Sequence, residues 1–125
     1  MIPNSGLISV VTTDIDKNVE RDFNIWYEQH IREVVGVAGW SRASRYRCLD
    51  GEPRYMAVYE IDSRAHAAVG SFSDWPKELQ EIQEAGYEEF WPHIEGYRAR
   101  NYELISHVTS ADALPRLQRN GGVGK

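Results

Sequence analysis

His30 has the sharpest setting of any side chain able to move a proton. It lies in Trp26-Tyr27-Glu28-Gln29-His30-Ile31-Arg32-Glu33-Val34, with Trp26 four residues before it and Glu33 three after. On a helix those positions are neighbours. A neutral imidazole near pH 7 can take or give a proton, which suits enolisation, ring closure or lyase chemistry. The competing role is structural: a histidine on an amphipathic stripe, bonded to a carbonyl at the helix end. Tyr46, Tyr55, Tyr59, Tyr97 and Tyr102 add hydroxyls able to polarise a carbonyl. Tyr59 and Tyr102 stand next after His30 as catalytic candidates, against the alternative of core residues with satisfied tips. Arg45 and Arg100 have the charge and fork geometry to hold a carboxylate or phenolate. Surface pairing with Glu60 or Glu103 is their other use. Tyr87, Phe90 and Trp91 read as helix-to-sheet packing, with Trp91 also a candidate pocket wall.

Other chemistries lack their residues. His30, His66, His93 and His107 are scattered, and Cys48 is the one cysteine. No H-x-x-x-H, H-E-x-x-H or Cys pair occurs, so neither a bound metal nor a cofactor is expected. A lone histidine is a thin basis for haem. No Gly-rich phosphate loop and no G-x-S-x-G elbow is present, which excludes the usual routes to nucleotide binding and serine hydrolysis. The formal charge is −5, which disfavours a nucleic-acid partner. Arg42, Arg45, Arg47 and Arg54 cluster locally and read as an ion-paired strand face. No apolar run approaches the roughly 18 residues of a membrane span. A cytoplasmic protein without a membrane partner is expected, and a single cysteine permits no internal disulfide.

The elements that must position these groups can be read along the chain. At 125 residues and 42% hydrophobic composition, one globular domain is expected over residues 1–109. Gly6 to Thr13 is rich in β-branched residues and reads as a strand. Val19, Phe23, Trp26, Tyr27, His30, Ile31 and Val34 then fall at spacings of three and four, one stripe of a helix. Gly36 and Gly39 end it. Trp40 to Leu49 and Arg54 to Ile61 read as a hairpin around Asp50-Gly51-Glu52-Pro53. Ser63 opens a short helix through Val69, and Trp75-Pro76 opens a second long one that Pro92 ends. Tyr97 to Val108 reads as the last strand, and residues 110–125 as a flexible tail poor in core residues.

The order β-α-β-β-α-β is the ferredoxin-like pattern, an α+β fold with a four-stranded antiparallel sheet and helices on one face. The uncovered face carries aromatic and apolar groups whichever parity holds, since alternation separates Tyr55 and Tyr59 from Met56 and Val58. A patch of that size in water calls for a two-fold homodimer.

The segment Trp26-Tyr27-Glu28-Gln29-His30, followed by Gly36-Val37-Ala38-Gly39-Trp40, resembles the EthD-like branch of the dimeric α+β barrel superfamily. Ala43-Ser44-Arg45-Tyr46-Arg47, Tyr55-Met56-Ala57-Val58-Tyr59-Glu60 and Arg100-Asn101-Tyr102-Glu103-Leu104-Ile105 fit the same branch. One departure is Ala38, where the turn usually has Pro. The resemblance covers about residues 6 to 106. It implies a homodimer whose joined sheets enclose one pocket per subunit, with His30 facing it; Trp26, Arg45, Tyr46, Trp91 and Arg100 are the candidate substrate-binding residues. Similar proteins include cofactor-free polyketide cyclases, lactone isomerases, small quinone-forming monooxygenases and haem-handling enzymes; the expectation here is a small organic ligand, aromatic or polyketide-like, handled without a cofactor. Isomerase, cyclase or lyase chemistry comes first. A cofactor-free oxygenase acting on an activated phenol and a non-catalytic accessory protein are the alternatives.

Overall fold

A computed structural model describes residues 6–116, leaving aside the side chains of residues 86 and 87. Strand β1 (Leu7–Ile15) leads through a 3-10 turn at Lys17–Val19 into helix α1 (Glu20–Val34). Asp16 starts the turn by accepting the Asn18 backbone N–H at 3.1 Å, the usual device for a helix entry. Glu20 and Asp22 at the start of α1 and Arg32 at its end match the helix dipole. Phe23, Tyr27, His30 and Val34 are its buried residues, spaced by four, three and four along one stripe.

Strands β2 (Trp40–Arg47) and β3 (Tyr55–Ile61) form the hairpin, followed by helix α2 (Lys77–Phe90) and strand β4 (Ile94–Glu103). The sheet order is β2-β3-β1-β4 with every neighbouring pair antiparallel. This is the ferredoxin-like arrangement that the element order predicts.

Burial settles the strand parity. Tyr55, Ala57, Tyr59 and Ile61 of β3 face the helices, with Ser9 and Thr13 of β1 beside them. The opposite face carries Ile8, Val10 and Thr12 of β1, Met56 and Val58 of β3, Tyr46 of β2 and Tyr102 of β4. Trp40 breaks simple alternation. It pairs with Ile61 and Arg42 with Glu60, so Ser41 is a bulge that turns Trp40 inward while Tyr46 stays on the open face. Inside, Trp40 packs edge-on against Tyr59 at 5.5 Å and donates its indole N–H to the His66 carbonyl at 2.8 Å.

Gly39 makes the α1–β2 turn possible. Its φ is +86°, and a Cβ there would lie 2.3 Å from His66 Cγ. Gly39→Ala combines left-handed backbone strain with a clash, and is expected to cost about 1–3 kcal/mol in chemical denaturation.

The largest differences from the sequence reading lie after Ser63 and in the last strand. The short helix from Ser63 through Val69 is instead a single 3-10 turn at Arg64–His66, and a second such turn, Phe72–Asp74, lies in the stretch that follows. The last strand begins at Ile94 rather than Tyr97, and ends at Glu103 rather than Val108. It ends there because its partner β1 starts at Leu7, opposite Glu103, and the last backbone bond runs from Leu104 N–H to the Gly6 carbonyl. Of residues 110–125, the structure describes a capped 3-10 turn at Ser110–Asp112 and the chain to Arg116; Leu117 onward lies outside the described residues.

Candidate functional site

A cavity of about 40 Å³ lies between the inner sheet face and the two helices. One water needs ~10–15 Å³ of such space, so several solvent molecules fit. Tyr27, His30 and Val34 of α1 form one wall, Ser9, Tyr59 and Tyr97 of the sheet another, and Trp75, Leu79 and Gln83 of α2 and its entry a third. The cavity sits inside the chain, on the helix side of the sheet.

His30 is 3% exposed. Its ring stacks on Trp26 at 4.6 Å with an interplanar angle of 18°, and meets the Tyr27 ring edge at 5.3 Å. Burial pushes its pKa down to about 4, because a desolvated imidazole resists charging. At neutral pH it is uncharged, and its basicity is far below that of a histidine poised near 7. This corrects the expectation of titration near neutrality, which rests on a solvated imidazole.

Tyr97 also faces the cavity, and burial raises its pKa against a smaller opposing effect of its bond from the Gln83 amide at 3.3 Å. The Trp75 indole N–H is buried and finds no hydrogen-bond acceptor among the described residues. A buried donor without an acceptor costs ~1–3 kcal/mol. The lining is thus aromatic and apolar, set with neutral polar groups and no charged side chain.

The structure brings His30 and Tyr59 together at the cavity, with Trp26 as the ring behind His30. It does not bring the remaining candidates there. Arg45 points to the helix side but is occupied: it pairs with Glu28 at 3.0 Å, donates to Asn24 Oδ1 at 2.7 Å, and lies 4.6 Å from the Tyr27 ring centroid. Tyr46, Arg100 and Tyr102 lie on the open face. Trp91 is half exposed and packs against Tyr97 at 5.5 Å. Sequence reasoning missed Ser9, Trp75 and Gln83 as cavity groups. For α2 the local signal is its apolar positions Leu79 and Ile82, which line the cavity together with Gln83.

The clustered arginines hold the hairpin in place. Arg54 pairs with Asp14 at 3.1 Å and Glu20 at 2.8 Å, and donates to the Ile15 carbonyl. Tyr55 donates its hydroxyl to Glu20, and that bond, ahead of Arg54, holds the Glu20 carboxyl below the usual range. Arg42 lies 3.6 Å from Glu60. Among the described residues no group of three or more His, Cys, Asp or Glu could hold a metal, and no helix is long and apolar enough to cross a membrane.

No family model matches this chain, and no curated protein matches it in sequence. Solved structures do match. A haem degrader from Mycobacterium tuberculosis, MhuD, with two haems bound in its active site, superposes with a TM-score of 0.58 at 16% identity, covering 82% of this chain and 99% of that one. A protein from Deinococcus radiodurans provisionally named an antibiotic biosynthesis monooxygenase gives 0.58 at 12% identity, covering 82% and 96%. HapK from Hahella chejuensis gives 0.54 at 12% identity, covering 83% and 97%. The fold is ferredoxin-like. At these identities the likeness establishes the fold alone, and it does not single out the EthD-like branch.

Haem is the group that the MhuD structure raises. The residues here do not fit it in the described form. His30 is enclosed behind Trp26 and Tyr27 in a cavity of about 40 Å³, against ~300–1,000 Å³ for sites that take even a drug-sized ligand.

Proposed function

We propose that this chain is a homodimeric α+β barrel protein of EthD-like type that binds a small, uncharged aromatic molecule in the cavity of each subunit. The observation that carries the reading is the neutrality of the cavity's polar groups. His30 is held uncharged by burial, Tyr97 is held as the phenol, and Trp75 offers a donor that awaits an acceptor. A phenol or quinone oxygen facing Trp75 would satisfy that donor, and the ring would lie among Tyr27, Tyr59 and Leu79. At about 40 Å³ the cavity has to widen to admit a single ring, since a benzene-sized guest occupies a cavity of ~150 Å³.

The chemistry that fits best is cofactor-independent oxygenation of an activated phenol. A weak base such as His30 suffices only for a substrate that gives up its proton readily. A reaction of the type R₂CH₂ + O₂ → R₂C=O + H₂O balances without added reductant. Neighbours named as monooxygenases lend support to this reading. Isomerase, cyclase or lyase chemistry asks more of His30, because a general base works best with a pKa near the operating pH. Binding without turnover remains the accessory-protein reading.

The test is calorimetric titration with a panel of single-ring phenols and quinones, followed by oxygen-electrode assays on those that bind. One site per chain is expected. Trp75→Phe keeps the ring but removes the donor, and should weaken a carbonyl-bearing ligand about 5- to 100-fold. Oxygen uptake marks the oxygenase, turnover under argon the isomerase or lyase. No saturable binding by any member of the panel would sink the cavity as the ligand site.

A further inference from the structure

The arginines of β2 frame a second cavity, separate from the one beside His30. It lies between α1 and the free edge of the sheet, since β2 is an outermost strand. Its volume is about 180 Å³, and Asn24 of α1, Arg45, Tyr46 and Arg47 of β2, and Tyr55 of β3 line it.

Arg45 is the fixed cation of this pocket. Its side chain is 14% exposed and pairs with Glu28 at 3.0 Å. Asn24 Oδ1 accepts from it at 2.7 Å, and the Asn24 amide is anchored in turn by donating to the Glu20 carbonyl and the Tyr55 hydroxyl. The ring centroids of Tyr27 and Tyr55 lie 4.6 Å and 5.6 Å from its guanidinium carbon. A guanidinium carries five N–H donors. Glu28 and Asn24 take one from each terminal nitrogen, and the others stay available to a ligand. Arg47 is the second cation. It stands two residues on, on the same side of β2, opposite Tyr55 in the ladder. It is exposed, and its guanidinium has no partner among the described residues. Two positive charges thus meet one carboxylate, Glu28; the next one, Glu20, is held by Arg54 and Tyr55.

Arginines on an open surface are satisfied by water and gain little from a partner. Here one guanidinium is set in place before any ligand arrives, which lowers the cost of binding. A cavity of ~150 Å³ takes benzene, so this one has room for a single ring. A planar carboxylate is the group that a guanidinium fork matches. We propose that the pocket binds a small aromatic carboxylate, with Arg45 as the preset fork and Arg47 as the second contact. Its ligand is independent of what the cavity beside His30 takes.

The test titrates the isotope-labelled full-length chain with sodium benzoate at constant ionic strength and follows the arginine Nε–H resonances. Saturable shifts of Arg45 and Arg47 are expected, and benzamide, which is uncharged and of the same shape, should give none. Arg47→Ala alters an exposed side chain, so the Tm should hold while benzoate affinity falls about tenfold. Glu28→Gln removes the competing carboxylate and should tighten benzoate about threefold or more. Arg42→Ala, toward the other end of β2, should leave the affinity as it is. Equal shifts with benzamide, a response to benzoate that never saturates, or an affinity that Arg47→Ala leaves intact would overturn the site. Inorganic phosphate binding more tightly than benzoate would overturn the carboxylate assignment.

Discussion

Phe23→Ala is expected to remove about 3–5 kcal/mol of stability, read as a lower urea midpoint at pH 7 with an unchanged slope. Phe23 is 0% exposed. Its ring lies 5.3 Å from Tyr27, 5.6 Å from Phe90 and 6.4 Å from Tyr55, so it touches α1, α2 and β3 at once. Truncation removes the buried ring and leaves a cavity that three rings on different elements cannot all move to fill. For a domain whose total stability is ~5–15 kcal/mol, that is a large share. Ile25, two residues on, is exposed, and Ile25→Ala should stay within about 0.5 kcal/mol. A loss below 1 kcal/mol for Phe23→Ala would mean that α1 does not pack through this stripe.

That stripe was legible in the sequence, because Phe23, Tyr27, His30 and Val34 share a face at helical period whatever surrounds them. The split βαβ order was legible for the same reason: each long element announces its period locally. The face that each strand turns inward was not. β3 offers Tyr55 and Tyr59 on one side and Met56 and Val58 on the other, and either set is apolar enough for a core. Trp40 was harder still, since the Ser41 bulge reverses its side, and nothing in Trp-Ser-Arg marks a bulge. The end of β4 depended on where β1 begins, so Ile105 to Val108 keep strand composition past the last bond, from Leu104 to Gly6. The cavity was half visible. His30 and Tyr59 come to it along their own elements, but Trp75 and Gln83 arrive by the packing of α2, a long-range fact. The partners of Arg45 were not legible either, because Glu28 and Asn24, which hold its guanidinium, lie far from it in sequence.

Acidification from pH 7 to pH 4 is expected to remove about 3 kcal/mol through His30 alone. In the unfolded chain its imidazole takes up a proton near the ordinary value of 6.5, while in the folded chain burial delays this to about 4. The folded value is depressed, so the stabilisation is present in full above 6.5 and declines as pH falls toward 4. Over that interval the unfolded state holds a proton that the native state refuses, and stability must rise with pH. Trp26 and Tyr27 enclose the ring on its own helix, and Tyr59, Tyr97, Ser9 and Gln83 face it across the cavity; none carries a charge that would offset the desolvation. Glu20, whose pKa is lowered from 4.5, acts in a lower window, and the interval from 6.5 to 5 isolates His30. The check is a urea series at half-unit pH steps on wild type and His30→Gln. The variant is less stable at pH 7, since it loses a packed ring, but its slope between pH 6.5 and 5 should be nearly flat. Parallel slopes for the two proteins would show that His30 protonates freely in the folded state. That same result would return it to the role of a general base near neutrality and weaken the case for a substrate that must ionise readily by itself.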